Sequence, residues 1–492
     1  MILDRARVSQ SPLLDAVAGA AGRSPAVFHT PGHKRGRWVP PAPAISDGMA
    51  WAWDGGDTVW APQYGHDLSE AAQAGADLAA RVWGSRRCWF LWNGATAGVL
   101  AMVLASVRPG GRLLLPRSVH RSVLDALVFA DAEPVFLPSR WLGGWELPLP
   151  PAAADVPAGP FDAALVTSPT YEGICPDLFA LARAAGPAPL LVDEAHGTHL
   201  AFYPAPAPPT ALRSGAHLVV HGAHKTLPVL TQAAMLHWMG TASEPDAERV
   251  ARFVAMVQST SPQPALLCSL DAARVEMEAH GAERVGRAVD LARAARRALE
   301  ESGPYRCLLP SDLPAPFVMD ETRLVVSTRS LGLAGWQAKR LLEERWNVWP
   351  EMAGMWHLVF IFTGADDAQS VQALALALAE LARDAAVGVV GRDGAAGLGA
   401  GVQAGAMPAP GPRVMRPRQA ALGRARKVPW EQAAGAVSAA TVTPYPPGTP
   451  LLIPGEMITS EAAEYARTVL ALGASIRGCP DHGRNVWVVD ER

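Results

Sequence analysis

The sequence predicts an α/β protein built around a largely parallel β-sheet. Between residues 66 and 240, apolar runs of four to six residues alternate with helical stretches, and polar turns bound each run. The runs are continuous rather than alternating, the pattern of strands buried on both faces. Strands separated by helices rather than by tight hairpins read as parallel neighbours.

Taken in order, "DLSEAAQAGADLAARVWG" (67–84) is helical, and Asp67 or Ser69 can cap its start. "RCWFLW" is an apolar strand, "GVLAMVLASV" a helix and "RLLLP" the next strand. "SVHRSVLDALVFA" is helical and "EPVFLP" a strand. "DAALVTSP" and "PLLVDEAHG" are strands flanking the helix "LFALARAAG", and "HLVVHGAH" and "AAMLHW" follow. A long helix over 276–302 leads into "TRLVVST", "GWQAKRLLEERW", "MWHLVFIF" and "AQSVQALALALAELARD", a second α/β unit. Residues 385–414 are rich in Gly, Ala and Pro and read as a flexible linker. Their Gly397, Gly399 and Gly401 form no nucleotide loop, because no amphipathic helix follows. Residues 415–492 form a last unit.

Bulk properties narrow the function. A chain of 492 residues suggests about two to four domains. The net charge of -3 gives no reason to expect nucleic acid or an anionic membrane as partner. The five cysteines (Cys88, Cys175, Cys268, Cys307, Cys479) are scattered and form no C-x-x-C, which fits free thiols in a reducing compartment and gives no zinc site. The N-terminus carries Asp4 and has no unbroken apolar core, so it does not read as a signal peptide. The most apolar late segment contains Glu380, Arg383 and Asp384 and is shorter than a clean membrane span. A cytoplasmic location is expected.

Most of the stretches with chemistry in them end a strand of the expected sheet, where open α/β sheets bind ligands. "WNGATAG" (92–98) joins a strand to a helix start. Its small residues let backbone N–H groups approach a phosphate, and Thr96 adds a hydroxyl; an ordinary tight turn is the alternative. "VHRSV" places His120 at a helix start, where a simple cap is the alternative. "LLVDEAHGTHL" puts Asp193 and Glu194 after three apolar residues. Buried acids there need a partner: a structural cation, a metal or a cofactor. His196 and His199, and again His221 and His224, have H-x-x-H spacing, but a strand end lacks the helical i, i+4 geometry of zinc hydrolases, so no metal is expected.

Lys225 follows the apolar strand in "VVHGAHKTLPVLTQ". It is either a solvated cation or a lysine desolvated enough to attack a carbonyl as a free amine. One combination explains these stretches together. A phosphate-binding turn, a histidine lid and an acid 32 residues before a lysine are the requirements of a pyridoxal phosphate site.

At this point the sequence resembles the pyridoxal-phosphate-dependent ornithine/lysine/arginine decarboxylases of fold type I, in their short bacterial form. The resemblance runs over nearly the whole chain. It is carried by "FHTPGHKRG" (28–36), "NGATAG", "HRSV", "SPTYEGICPDL", "VDEAHGTHLAF", "AHKTLPVLTQ", "QSTSPQPALLCSLDAAR" (258–274) and "YPPGTPLLIPGE" (445–456). Each is weak alone; eight in order are specific. The resemblance implies an N-terminal arm (1–55) and a cofactor-binding large domain (56–275) with a mostly parallel seven-stranded sheet. A small α/β domain (276–384), the linker (385–414) and a C-terminal α+β domain (415–492) complete it.

The resemblance also implies roles. Lys225 is the Schiff-base lysine and Asp193 bonds the pyridine nitrogen. His120 stacks on one ring face and Ala195 packs on the other. Ala95 and Thr96 hold the phosphate, with His224 beside the lysine. His196 and Thr170 line the pocket, and His196 joins Lys225, Asp193 and His120 in the catalytic set. Ser259, Thr260 and Ser261 reach a phosphate in a neighbouring subunit, which implies a homodimer or higher homo-oligomer. Glu351, in "WPEMAG", is a candidate for the distal positive charge of the substrate. The implied reaction is loss of CO₂ from arginine, lysine or ornithine, yielding a di- or polyamine precursor.

Two departures stand out. Where the family usually shows Gln-Ser-Thr-His-Lys, this chain has His221-Gly222-Ala223-His224-Lys225. Each lost hydroxyl bond to a charged phosphate is worth about 1.5–3 kcal/mol, so weaker cofactor binding is expected unless His221 or a water substitutes. The family's Asp-Leu-x-Glu stretch aligns poorly with "MAWAWDGGD" (49–57), which bears on substrate choice. The alternatives are another pyridoxal phosphate reaction, such as transamination, and a non-catalytic cofactor-binding relative.

Overall fold

A computed structural model describes residues 11–21, 68–388, 407–445, 448–471 and 473–490. The motifs at 28–36 and 49–57 lie outside the described residues, as does most of the 385–414 segment.

Seven strands form one sheet: β1 (Arg87–Leu91), β2 (Arg112–Leu115), β3 (Glu133–Phe136), β4 (Ala163–Thr167), β5 (Leu190–Asp193), β6 (Leu218–His221) and β7 (Ala234–Trp238). Their order is β1-β7-β6-β5-β4-β2-β3. The pairs β5/β6, β2/β4 and β2/β3 are parallel, and β7 runs antiparallel to β1 and β6. The expected mostly parallel seven-stranded sheet is therefore present. β5 and β6 are buried at every position, as the unbroken runs "LLVD" and "LVVH" require.

The chain divides into two compact units, residues 1–106 with 189–285 and residues 107–188 with 286–492. In the first, the helix Gly94–Ser106 lies against β6 and β1. Gly98 permits this: a Cβ there would lie 2.5 Å from Val220 and 2.8 Å from Leu91. The helix Ala247–Val257, capped by the Asp246 side chain, packs on the same helix. The helix Pro12–Ala21 is tied down by Asp271, which accepts from Ser11 Oγ at 2.5 Å and from the Leu13 N–H at 3.2 Å while paired with Arg274.

The long helix is Pro264–Ser302, so it begins twelve residues before the expected start at 276. Pro264 occupies the first helical position, where a missing N–H costs nothing, and the Gln263 side chain accepts the Ala265 N–H at 2.6 Å.

In the second unit, β8 (Arg323–Ser327), β9 (Met352–Ala353) and β10 (His357–Ile361) form an antiparallel sheet in the order β8-β10-β9. Leu324, Val326, Leu358 and Phe360 point into a core shared with Leu342, Leu378 and Leu381, which come from the helices Gly335–Trp346 and Ala368–Ala386. The C-terminal part is α+β. β11 (Ala425–Pro429) pairs with β14 (Asn485–Val489) and β12 (Thr443–Tyr445) with β13 (Ser475–Arg477), both antiparallel. Trp430, Ile458, Val469 and Val486 fill its core beside the helix Ser460–Ala471.

Candidate active site

The two acidic and basic groups read from the sequence stand at the ends of adjacent parallel strands. β5 ends at Asp193, which is in register with Val220 of β6. One residue beyond β6, a single 3₁₀ turn, Ala223–Lys225, carries the lysine. The connection is tight. The Gly222 N–H donates to Ala195 O at 3.2 Å, and the Lys225 N–H to Gly222 O at 2.9 Å. A Cβ on residue 222 would lie 2.9 Å from Ala195 O and 3.4 Å from Lys225 Cδ. Glycine at this position lets the lysine turn approach the Asp193–His196 segment.

Lys225 is half-buried, and its Nζ lies 2.9 Å from His196 Nε2. His196 is itself buried. Asp193 is 4 % exposed and accepts one hydrogen bond, from the Ala195 N–H at 3.2 Å, and among the described residues it forms no ion pair. A carboxylate removed from water without a counter-charge is costly. Its position therefore calls for a cationic partner. Ala195 is buried next to it, and the half-buried His224 lies with Nδ1 3.2 Å from Ala233 O.

Ala95 and Thr96 lie in the first turn of the helix Gly94–Ser106, with Thr96 exposed. Gly94 has φ +78°, so the turn into the helix needs glycine. The unpaired N–H groups of such a helix start favour an anion. Ser259, Thr260 and Ser261 follow the helix Ala247–Val257 and are exposed. Ser259 is held beside the same turn: its carbonyl accepts from Trp92 Nε1 at 2.9 Å, and its N–H donates to Asn93 Oδ1 at 3.4 Å.

The remaining expected residues belong to the second unit. His120 is exposed and caps the helix Arg121–Ala130, with Nδ1 2.8 Å from Ser122 Oγ. The Thr170 hydroxyl accepts the Ile174 N–H at 3.2 Å within its own turn. Glu351 is exposed and lines a groove of about 440 Å³ together with Trp349, Phe362 and Asp366.

His221 does not replace the missing phosphate hydroxyls. It is fully buried, and its Nε2 lies 2.8 Å from Glu194 Oε2. Glu194, fully buried, also accepts the Ala211 N–H at 2.7 Å and the Thr210 hydroxyl at 3.3 Å. Burial pushes the Glu194 carboxyl up to about 8 against those hydrogen bonds, and burial with His199 nearby pushes His221 down to about 3. The two side chains form a buried hydrogen-bonded pair that joins the end of β5 to the end of β6. Sequence reasoning saw that Glu194 needed a partner but missed which one; the signal was a histidine at the last position of the neighbouring buried strand. Among the described residues no three His, Cys, Asp or Glu side chains are arranged to hold a metal ion.

This pair has a pH signature. The folded chain refuses a proton at His221 that the unfolded chain accepts below about 6.5, so stability is lost as pH falls from there towards 3. His221→Gln keeps a donor for Glu194 and removes that loss, on the order of 3–5 kcal/mol at pH 3. The acid-unfolding midpoint, followed by far-UV circular dichroism, is expected to move to lower pH. Buried His237, pushed well down by burial, stays in place and limits the gain.

The family model for the Orn/Lys/Arg decarboxylase major domain matches residues 11–311, and that for the Orn/Lys/Arg decarboxylase C-terminal domain matches residues 406–486. The chain belongs to the Orn/Lys/Arg decarboxylase family. An arginine decarboxylase of Halalkalibacterium halodurans is 32% identical over 495 residues, covering 96% of this chain and 96% of the relative. An arginine decarboxylase of Bacillus subtilis is 31% identical over 490 residues with the same coverage. Among solved structures, the Francisella novicida lysine decarboxylase superposes with a TM-score of 0.82 at 18% identity, over 98% of this chain and 82% of the other. That likeness concerns the fold. The decarboxylase reading drawn from eight short motifs is borne out.

Proposed function

We propose that this decarboxylase removes CO₂ from a basic L-amino acid (arginine, lysine or ornithine) with pyridoxal 5'-phosphate bound through Lys225. The observation that carries the reading is the meeting of Lys225 Nζ with His196 Nε2 at 2.9 Å beside a buried Asp193 that has no ion-pair partner among the described residues. The residues present fit the cofactor. Asp193 lacks the cation that a protonated pyridine nitrogen supplies, and Gly222 leaves space that a Cβ would fill.

His196 accepts a proton from Lys225, leaving the lone pair an amine needs to attack an aldehyde. Asp193 holds the proton on the ring nitrogen. The bound cofactor supplies an electron sink for the pair left on the substrate Cα when CO₂ departs. The start of the helix Gly94–Ser106, with Ala95 and Thr96, holds the phosphate, and His224 stands beside the lysine. Ala195 and His120 enclose the ring, Thr170 lines the pocket, and Glu351 meets the substrate's distal charge. Exposed Ser259, Thr260 and Ser261 serve a second copy of the chain, which makes the working unit a homodimer or larger. The domain limits proposed are those read from the sequence, from 56–275 for the cofactor domain to 415–492 for the C-terminal domain. No helix among the described residues is long and apolar enough to cross a membrane, and the proposed site of action is the cytoplasm.

The relatives' names make arginine the first substrate to test. Purified protein with added cofactor is offered arginine, lysine and ornithine in parallel, and CO₂ and amine are measured. Release of CO₂ with the matching amine from at least one is expected. A keto acid formed only with an added acceptor, or cofactor absorbance without turnover on any of the three, would sink the proposal.

A further inference from the structure

Residues 448–456 of the C-terminal motif play no part in the chemistry above, yet they enclose a buried cation. Arg117 is 6 % exposed. Its Nε donates to Pro450 O at 3.1 Å and its Nη2 to Leu451 O at 3.0 Å. Both Nη atoms donate to the Glu456 carboxylate, Nη2 to Oε2 at 2.7 Å and Nη1 to Oε1. The guanidinium carbon stands 5.2 Å from the Phe136 ring centre.

The receptor is itself fixed. Glu456, also buried, accepts the Ile453 N–H at 3.0 Å, and its carbonyl accepts the Ser438 N–H at 2.8 Å. Gly455 has φ +90°, and a Cβ there would lie 2.2 Å from Met415 O, so this loop closes only on glycine.

A buried ion pair is a poor source of stability, because desolvation offsets most of the attraction. What a forked guanidinium–carboxylate pair adds is geometry. The geometry here is that of the turn leaving β2. The Val119 N–H donates to Arg117 O at 3.0 Å, and His120 follows at once as the helix cap, its carbonyl accepting the Val123 N–H at 2.9 Å. His120 is thus held downstream by the helix and upstream by Arg117.

We propose that Arg117 and Glu456 are positioning residues through which the C-terminal domain fixes the turn that carries His120, the residue proposed to stack on the cofactor ring. The inference rests on the reading that His120 stacks on that ring. It gives the motif at 445–456 a task in the cofactor site without contact with the reacting atoms.

The test uses the full chain reconstituted with pyridoxal 5'-phosphate. Cofactor affinity is read by fluorescence titration, and ring orientation by visible-region circular dichroism of the lysine-bound cofactor. Far-UV circular dichroism reports the fold. His120→Ala is expected to weaken binding about fivefold, the value of one stacking contact, and to change the visible band. Arg117→Met should reproduce both changes with an unaltered far-UV spectrum, and the double variant should add nothing further. Glu456→Gln, which keeps the shape and removes the charge, gives the same readout if Arg117→Met does not fold. The inference is overturned if His120→Ala shifts affinity and band while Arg117→Met and Glu456→Gln match the wild type, or if the effects of Arg117→Met and His120→Ala multiply. If His120→Ala changes neither, the stacking role fails first and takes the inference with it, while the roles of Lys225 and Asp193 stand.

Discussion

Lys225→Ala is expected to keep its fold and lose its chemistry. Turnover should fall at least about 10³-fold, since the proposed covalent anchor is removed. The visible absorbance of the lysine-bound cofactor should vanish. Stability should hardly change, because the turn that carries Lys225 is built from backbone bonds: the Lys225 N–H to Gly222 O at 2.9 Å and the Leu227 N–H to Ala223 O at 2.9 Å. The half-buried Nζ contributes a contact to His196, not a core. Far-UV circular dichroism, the absorbance spectrum and the rate of CO₂ release check the three statements together. Full turnover in this variant would remove Lys225 from the mechanism, whatever the fold likeness suggests.

The parts of this site that were legible in the sequence are those fixed by local pattern. "LLVD" and "LVVH" are unbroken apolar runs ending in a polar residue, and the structure makes them adjacent buried strands whose ends bring Asp193 and the lysine turn together. What the sequence hid depends on which side of a strand end a side chain takes. His221 and His224 share H-x-x-H spacing, yet His221 is buried against Glu194 while His224 is half-buried near Ala233. Gly222 is another case. By itself it looked like the loss of a serine hydroxyl; in the fold it is the contact that lets the lysine turn meet Ala195. The antiparallel pairs of the C-terminal part were also invisible, because β11 and β14 join residues as far apart as Ala425 and Val489, with no local signal for the register. The grip of Glu456 on Arg117 spans more than three hundred residues and left only a conspicuous motif as its trace.

Asp193→Asn separates a cofactor partner from a structural acid, because the two roles predict opposite signs in the empty protein. Asp193 is 4 % exposed and accepts a single hydrogen bond, from Ala195. With no ion-pair partner among the described residues, its charge is a burden on the chain before the cofactor binds. Asparagine retains an acceptor for the Ala195 N–H and removes the charge, so the cofactor-free variant should melt no lower than the wild type. Cofactor binding reverses the order. In the proposed role the wild-type carboxylate would gain a charged hydrogen bond to the ring nitrogen, worth about 1.5–3 kcal/mol, which the amide would not match. Affinity should therefore fall about 10- to 100-fold. Turnover at saturating cofactor should fall by at least about 100-fold, because a ring nitrogen without its proton is a poor electron sink. A structural acid would behave otherwise: Asp193→Asn would destabilise the empty protein and leave cofactor affinity unchanged. Melting temperatures with and without pyridoxal phosphate, measured for both proteins, decide between these patterns without reference to substrate. They also bear on the lost hydroxyls at Gly222 and Ala223. If Asp193 carries this much of the cofactor's binding, the site can tolerate a weaker hold on the phosphate.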